Sequence, residues 1–151
     1  MTPLEIEQYI LDTFKDVHPI NSWGEKSFFH NPGKKLTRGT YFATLKEKDG
    51  DNDKASDLDR DGIYRLNIGL RKSKYINLFQ TTPVRPPKGG VIEGLFDFQK
   101  LDSLTPHPIY AWMSWVAVLN PSSETFESCK QLLEDAYIKA SKSTENKIQK
   151  L

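Results

Sequence analysis

The sequence predicts an α+β fold, a two-layer sandwich in which helices cover one face of a mainly antiparallel sheet, in the order α-β-β-β-α-β-β-α. Three observations predict it. Tyr64–Leu70 alternates with a period of two: Tyr64, Leu66, Ile68 and Leu70 fall on one face and Arg65, Asn67 and Gly69 on the other, which marks a half-buried strand. Apolar residues recur at helical spacing near both ends of the chain. Between those ends strands come in runs broken by single helices, the arrangement of antiparallel rather than parallel sheets.

Thr2-Pro3-Leu4-Glu5 starts the first helix, with Thr2 as cap, Pro3 at the first helical position and Glu5 completing a capping box; Ile6, Tyr9, Ile10 and Phe14 form its buried stripe. Pro19 and Trp23-Gly24 mark a turn or short edge strand, and Ser27–His30 is a strand stopped by Asn31-Pro32-Gly33. Tyr41–Lys48 is the next strand, predicted to place Tyr41, Ala43 and Leu45 together on one face and Thr44, Lys46 and Lys48 on the other. Asp49–Asp61 is a polar connection leading into the Ile63–Leu70 strand. A short helix over Ser73–Phe79 is expected to be capped by Ser73 and docked through Ile76 and Phe79. Thr81–Gly94, rich in Pro and Gly, reads as a flap, and Leu95–Leu104 as an extended piece with a helical turn. Pro106-His107-Pro108 leads into the strand Trp112–Leu119, apolar on both faces and hence in need of cover on both. Asn120–Glu124 starts a last helix carrying Phe126, Cys129, Leu133, Ala136, Tyr137 and Ala140 on its stripe. The expected division is one domain over 1–142 and a polar, frayed tail over 143–151.

Composition narrows the functional classes. Lys plus Arg number 21 against 20 Asp plus Glu, so no overall charge draws the chain to nucleic acid or an acidic membrane. A single cysteine, Cys129, allows no internal disulfide and favours a reducing compartment. No signal-type N-terminus and no apolar run near the ~20 residues of a membrane span is present. A soluble, cytoplasmic protein is expected.

Five segments carry a family resemblance: Ser22-Trp23-Gly24 with Phe28-Phe29, Ala55–Arg60, Gly62–Gly69, Pro106–Tyr110 and Trp115–Pro121. They resemble an uncharacterised bacterial family of small single-domain proteins. The element order is similar to the MmcQ/YjbR-like group, with its secretion-chaperone-like fold and its inferred label of DNA binding. Asp61 departs from the proline usual in such relatives. The resemblance implies a fold, and it implies no catalytic residues.

Among candidate chemistries, Asp57-x-Asp59-x-Asp61-Gly62 has the spacing of half a calcium loop. The closing position is Ile68 and position nine is Arg65, so an acidic turn is the better reading and no metal is expected. His18, His30 and His107 lack metal-ligand spacing, and no cofactor motif is present. His107, between two prolines, reads foremost as a turn residue whose ring bonds the backbone. The face carrying Arg65 and Asn67 reads foremost as the plain, solvated side of an antiparallel sheet; the sharper reading makes it a ligand groove or dimer surface, with Trp23, His107 and Trp112 as the other ligand-binding candidates. The leading expectation is a non-catalytic module that binds a small molecule or protein, or pairs with a second copy through the uncovered face of Trp112–Leu119. The first rival is nucleic-acid binding through Lys34, Lys35, Arg38, Arg71, Lys72 and Lys74, joined by Arg85 and Lys88. The second is an enzyme built on His107 and Arg65, for which no nucleophile–base pair is legible.

Overall fold

A computed structural model describes residues Met1–Leu151. Six strands form one antiparallel sheet: β1 (Val17–Ser22), β2 (Glu25–His30), β3 (Thr40–Lys46), β4 (Arg65–Gly69), β5 (Leu104–Pro106) and β6 (Trp115–Leu119), in spatial order β1-β2-β3-β4-β6-β5. Three helices, α1 (Pro3–Thr13), α2 (Lys72–Phe79) and α3 (Ser123–Gln149), complete the α+β fold. Four strands precede α2 where three were expected, because Val17–Ser22 forms a full hairpin partner for β2. The hairpin turns on Trp23-Gly24, both at positive φ (55° and 76°), the twist that suits a two-residue connection.

The alternation read from Tyr64–Leu70 places Leu66 and Ile68 beneath α1 and α3, with Ile6, Ile10, Phe126, Leu133 and Ala136 in the same core. Thr2 caps α1 by accepting the Glu5 N–H, as the capping box requires, and Ser122 caps α3 by accepting that of Thr125. Around α2 the expectation changes. Its N-terminus carries no side-chain cap; instead the Arg71 N–H donates to Asp135 Oδ2 of α3 at 2.9 Å. Tyr75 rather than Ile76 is its buried anchor.

Three further readings are corrected. The strand predicted from Trp112 begins at Trp115, because Ala111–Met113 winds into a 3₁₀ turn that closes with Ser114 in the left-handed region (φ 72°). Residues 143–149 are not a frayed tail but the last turns of α3; Thr144 is fully buried and its hydroxyl lies 3.1 Å from the His30 carbonyl and 2.9 Å from that of Ala140. Tyr41 does not share a face with Ala43. A β-bulge shifts the β2–β3 register between Phe28 and Phe29, pairing Phe28 with Ala43 but Phe29 with Tyr41. Phe42 is the surplus residue, and it joins Ala43 in the core while Tyr41 turns outward.

The second sheet face is largely roofed by the chain itself. The acidic connection folds back over β4, so that Asp53 and Ser56 meet Arg65. Its aspartates are used in loop closure: the Asp49 N–H donates to Asp59 Oδ1, the Leu58 N–H to Asp49 Oδ1, and Arg60 pairs with Asp57 at 3.6 Å. Ile68, the closing position of the calcium-like spacing, is buried in the core strand. Ala117 and Leu119 of β6 are buried as well, with Leu101 bridged to Leu119. The uncovered apolar face that argued for a second copy of the chain is thus covered from within.

Candidate functional site

Register alone brings the site together. Lys46 pairs with Arg65 and Glu25, and Thr44 pairs with Asn67 and Ser27, so these side chains share the face opposite the helices. They form a directed row of hydrogen bonds across three strands. Arg65 Nε donates to Asn67 Oδ1 (2.8 Å), Asn67 Nδ2 to Thr44 Oγ1 (2.9 Å), and Thr44 Oγ1 to Glu25 Oε2 (2.7 Å). Donation runs from a cation to an anion, so each bond polarises the next in the same sense.

Arg65 is 1% exposed and anchors the row. Nη1 donates to Asp53 Oδ1 (3.0 Å) and Ser56 Oγ (2.9 Å), and Nη2 donates to Asp53 Oδ2, a two-pronged pair in a water-poor setting. Burying a guanidinium is costly unless its charge is matched, and the acidic loop supplies the match. The polar face predicted as an open, wet surface is therefore a buried ionic network at this end.

Beyond Arg65 the face opens into a cleft of about 310 Å³, lined by Glu25, Ser27, Tyr41, Thr44, Lys46, Asp53, Asn67, His107, Tyr110, Met113 and Trp115. Aromatic side chains wall it: the rings of Tyr41 and Trp115 lie 5.4 Å apart, and those of His107 and Tyr110 lie 5.0 Å apart. Gly69 seats Trp115. A Cβ there would stand 2.6 Å from the indole, so only glycine lets the ring lie against the backbone of β4.

His107 is held by its own turn, as its setting between prolines suggested. Nδ1 accepts the N–H groups of Ile109 and Tyr110, each at 3.1 Å. The ring is buried, and desolvation, with the positive charges of Arg65 and Lys46 adding to it, holds its pKa well below the ordinary imidazole value. It is a neutral ring, and its Nε2 lies 3.4 Å from Arg65 Nη2.

Of the ligand candidates read from the sequence, Asn67 and His107 line this cleft and Arg65 supports it from behind. Trp112 lines a neighbouring cleft of about 360 Å³ under the Pro-rich flap, where Arg85 stacks 4.8 Å from its ring; Asp53 and Tyr110 border both clefts. Trp23 stands apart at the β1–β2 turn, 91% exposed. Among the lining residues that sequence reasoning missed are Glu25, Tyr41, Asp53 and Trp115. Pairing of β2 with β3 beside Arg65 would have found Glu25; the bulge and the long loop hid Tyr41 and Asp53.

The basic candidates occupy a different place. Lys34, Lys35 and Arg38 follow β2, and Arg71, Lys72 and Lys74 follow β4, strand ends that the register puts at one end of the sheet. Arg71 is committed there to Asp135, with Nε donating to Oδ1 at 2.7 Å. Cys129 sits on the buried side of α3, where burial pushes its thiol up to about 11, so it is no nucleophile at neutral pH.

Fold and cleft together define a protein with an antiparallel α+β scaffold and a polar, aromatic-walled concavity opposite its helices. The chain belongs to the family of unknown function DUF6194, whose model matches residues 1–149. No curated protein matches it. Among solved structures it is similar to a structural-genomics protein from Pseudomonas syringae, at 14% identity and a TM-score of 0.48, over 93% of this chain and 99% of that one. That likeness is too distant to carry an argument. Nothing in these comparisons points to the MmcQ/YjbR-like group. No helix is long and apolar enough to cross a membrane.

Proposed function

We propose that the protein is a non-catalytic binding module whose ligand is a small molecule seated in the cleft over β2, β3, β4 and β6. The observation that carries this reading is the hydrogen-bonded row from Arg65 to Glu25, fixed in place beneath a concavity walled by aromatic rings. Ligand sites are concave, with a few polar groups held in set positions for orientation and apolar surface for contact. The arrangement does not favour catalysis, since His107 spends Nδ1 on backbone N–H groups and has no hydroxyl, thiol or carboxylate within hydrogen-bond reach. The test is a fragment screen followed by amide and indole NMR shifts. Fragments gathering at Trp115, Tyr110 and Asn67 support the reading; fragments that leave those signals unmoved reject it.

A second reading, nucleic-acid contact, draws on the gathering of Lys34, Lys35, Arg38, Lys72 and Lys74 at one end of the sheet. Binding to short duplex DNA that weakens steeply with salt supports it, and no binding at about 50 mM salt ends it.

A further inference from the structure

Two donors in the cleft have no acceptor from the protein. The first is on His107. A neutral imidazole carries one N–H and one lone pair. Because Nδ1 accepts two backbone N–H groups at 3.1 Å, the proton sits on Nε2. The neighbour that Nε2 meets within hydrogen-bond reach is Arg65 Nη2 at 3.4 Å, itself a donor. The opposite tautomer would set Nδ1–H against two N–H groups, which is worse. The buried Nε2–H thus finds no acceptor in the protein, on a ring that lines the cleft.

The second donor is Lys46. Its side chain is 8% exposed, yet the carboxylate nearest its ammonium, Glu25 Oε1, stands at 3.8 Å, beyond hydrogen-bond length. Glu25 Oε2 is already taken by Thr44, and both Asp53 oxygens are taken by Arg65. An ammonium so enclosed, with its ion-pair partner out of hydrogen-bond range, calls for an acceptor. Glu25 already balances the charge of Lys46 across 3.8 Å, as Asp53 balances that of Arg65, so the lining opposes a dianion such as a phosphate monoester, while a carboxylate oxygen supplies the hydrogen-bond acceptor that Lys46 lacks. Tyr41, Trp115 and Tyr110 offer flat faces to the rest of the ligand.

We propose, resting on the small-molecule reading above, that the cleft takes a planar-ring monocarboxylate, its two oxygens accepting from Lys46 Nζ and His107 Nε2–H and its ring lying against Tyr41 and Trp115. The assignment sets the ligand's chemistry and its orientation, carboxylate inward and ring toward the aromatic wall.

The experiment titrates the full chain with four probes, 2-naphthoate, 2-naphthamide, 2-naphthyl phosphate and cyclohexanecarboxylate, following the Trp115 indole N–H and the Tyr110 amide by NMR. Saturable binding of 2-naphthoate, at least about tenfold tighter than each of the other three, is the expected result. Lys46→Met keeps the stem and removes the ammonium. His107→Asn keeps an acceptor for the turn and removes the Nε2 donor. Each is expected to weaken 2-naphthoate by about tenfold or more at an unchanged melting temperature. If either variant fails to fold, the wild-type comparison of naphthoate with naphthamide decides the matter. Naphthamide or the phosphate binding equally well at the same signals overturns the carboxylate while leaving the cleft reading intact. Four probes that leave these signals still, while a fragment screen finds other occupants, overturn it in the same way; if no fragment occupies the cleft either, both readings fall together.

Discussion

Two side chains show how strongly burial governs this face. Arg65 places four of its five N–H groups on Asn67, Asp53 and Ser56. Asp53 supplies the matching charge, so Asp53→Ala strands a buried guanidinium. A loss of about 3 kcal/mol is expected, seen as a fall in melting temperature of roughly 10 °C. His107 answers to pH with the opposite sign from a salt-bridged histidine. Its folded-state pKa is lowered, so between that value and the ordinary 6.5 only the unfolded chain takes up the proton. The stability it confers is complete above 6.5 and is lost as the pH falls toward the folded-state value. His30, also lowered by burial, works in the same direction against the opposing pull of Asp16 and Glu145. Denaturant titrations across this range should show stability dropping by up to about 1.4 kcal/mol per pH unit for each such histidine, and His107→Asn should flatten the curve by one share.

At the scale of the element, β4 is the strand whose pattern was fully legible, since strict alternation over seven residues leaves one consistent facing. β3 was half legible: Thr44 and Lys46 were placed correctly, but a bulge adds a residue without any sign in composition, and Tyr41 was put on the wrong side. Trp112 was read into β6 because an apolar run shows no periodicity that would betray the 3₁₀ turn within it. Gly69, which looked like a neutral member of the polar face, is the seat for an indole ring. Gly69→Ala is expected to displace Trp115, cost about 1–3 kcal/mol and alter the tryptophan emission, read by melting curves and fluorescence on the same sample. An unchanged spectrum would mean that the ring does not rest on that backbone.

For the whole molecule, what sequence patterning could not show was which long loops return. Asp49–Asp61 is too polar to resemble core, yet it roofs Arg65, because a buried cation draws in the carboxylate that neutralises it. Likewise 143–151 is polar and was read as loose chain, but a helix needs only an occasional inward contact to continue, and Thr144 provides one against His30. Ending the chain after residue 142 should therefore destabilise it by about 2 kcal/mol, since the truncation uncovers the His30 carbonyl and opens the core beside Ala140. A frayed tail would be lost without any effect on the melting temperature.

The bulge in β3 reaches further than its size suggests. Tyr41 belongs to the cleft and Phe42 to the core, and the strand accommodates both only because it is one residue longer than its partner requires. The spacing from Gly39 to Thr44 is thus set from both sides of the sheet at once. Deleting one position there would forfeit a ring, and with it either a wall of the cavity or a piece of the interior filling.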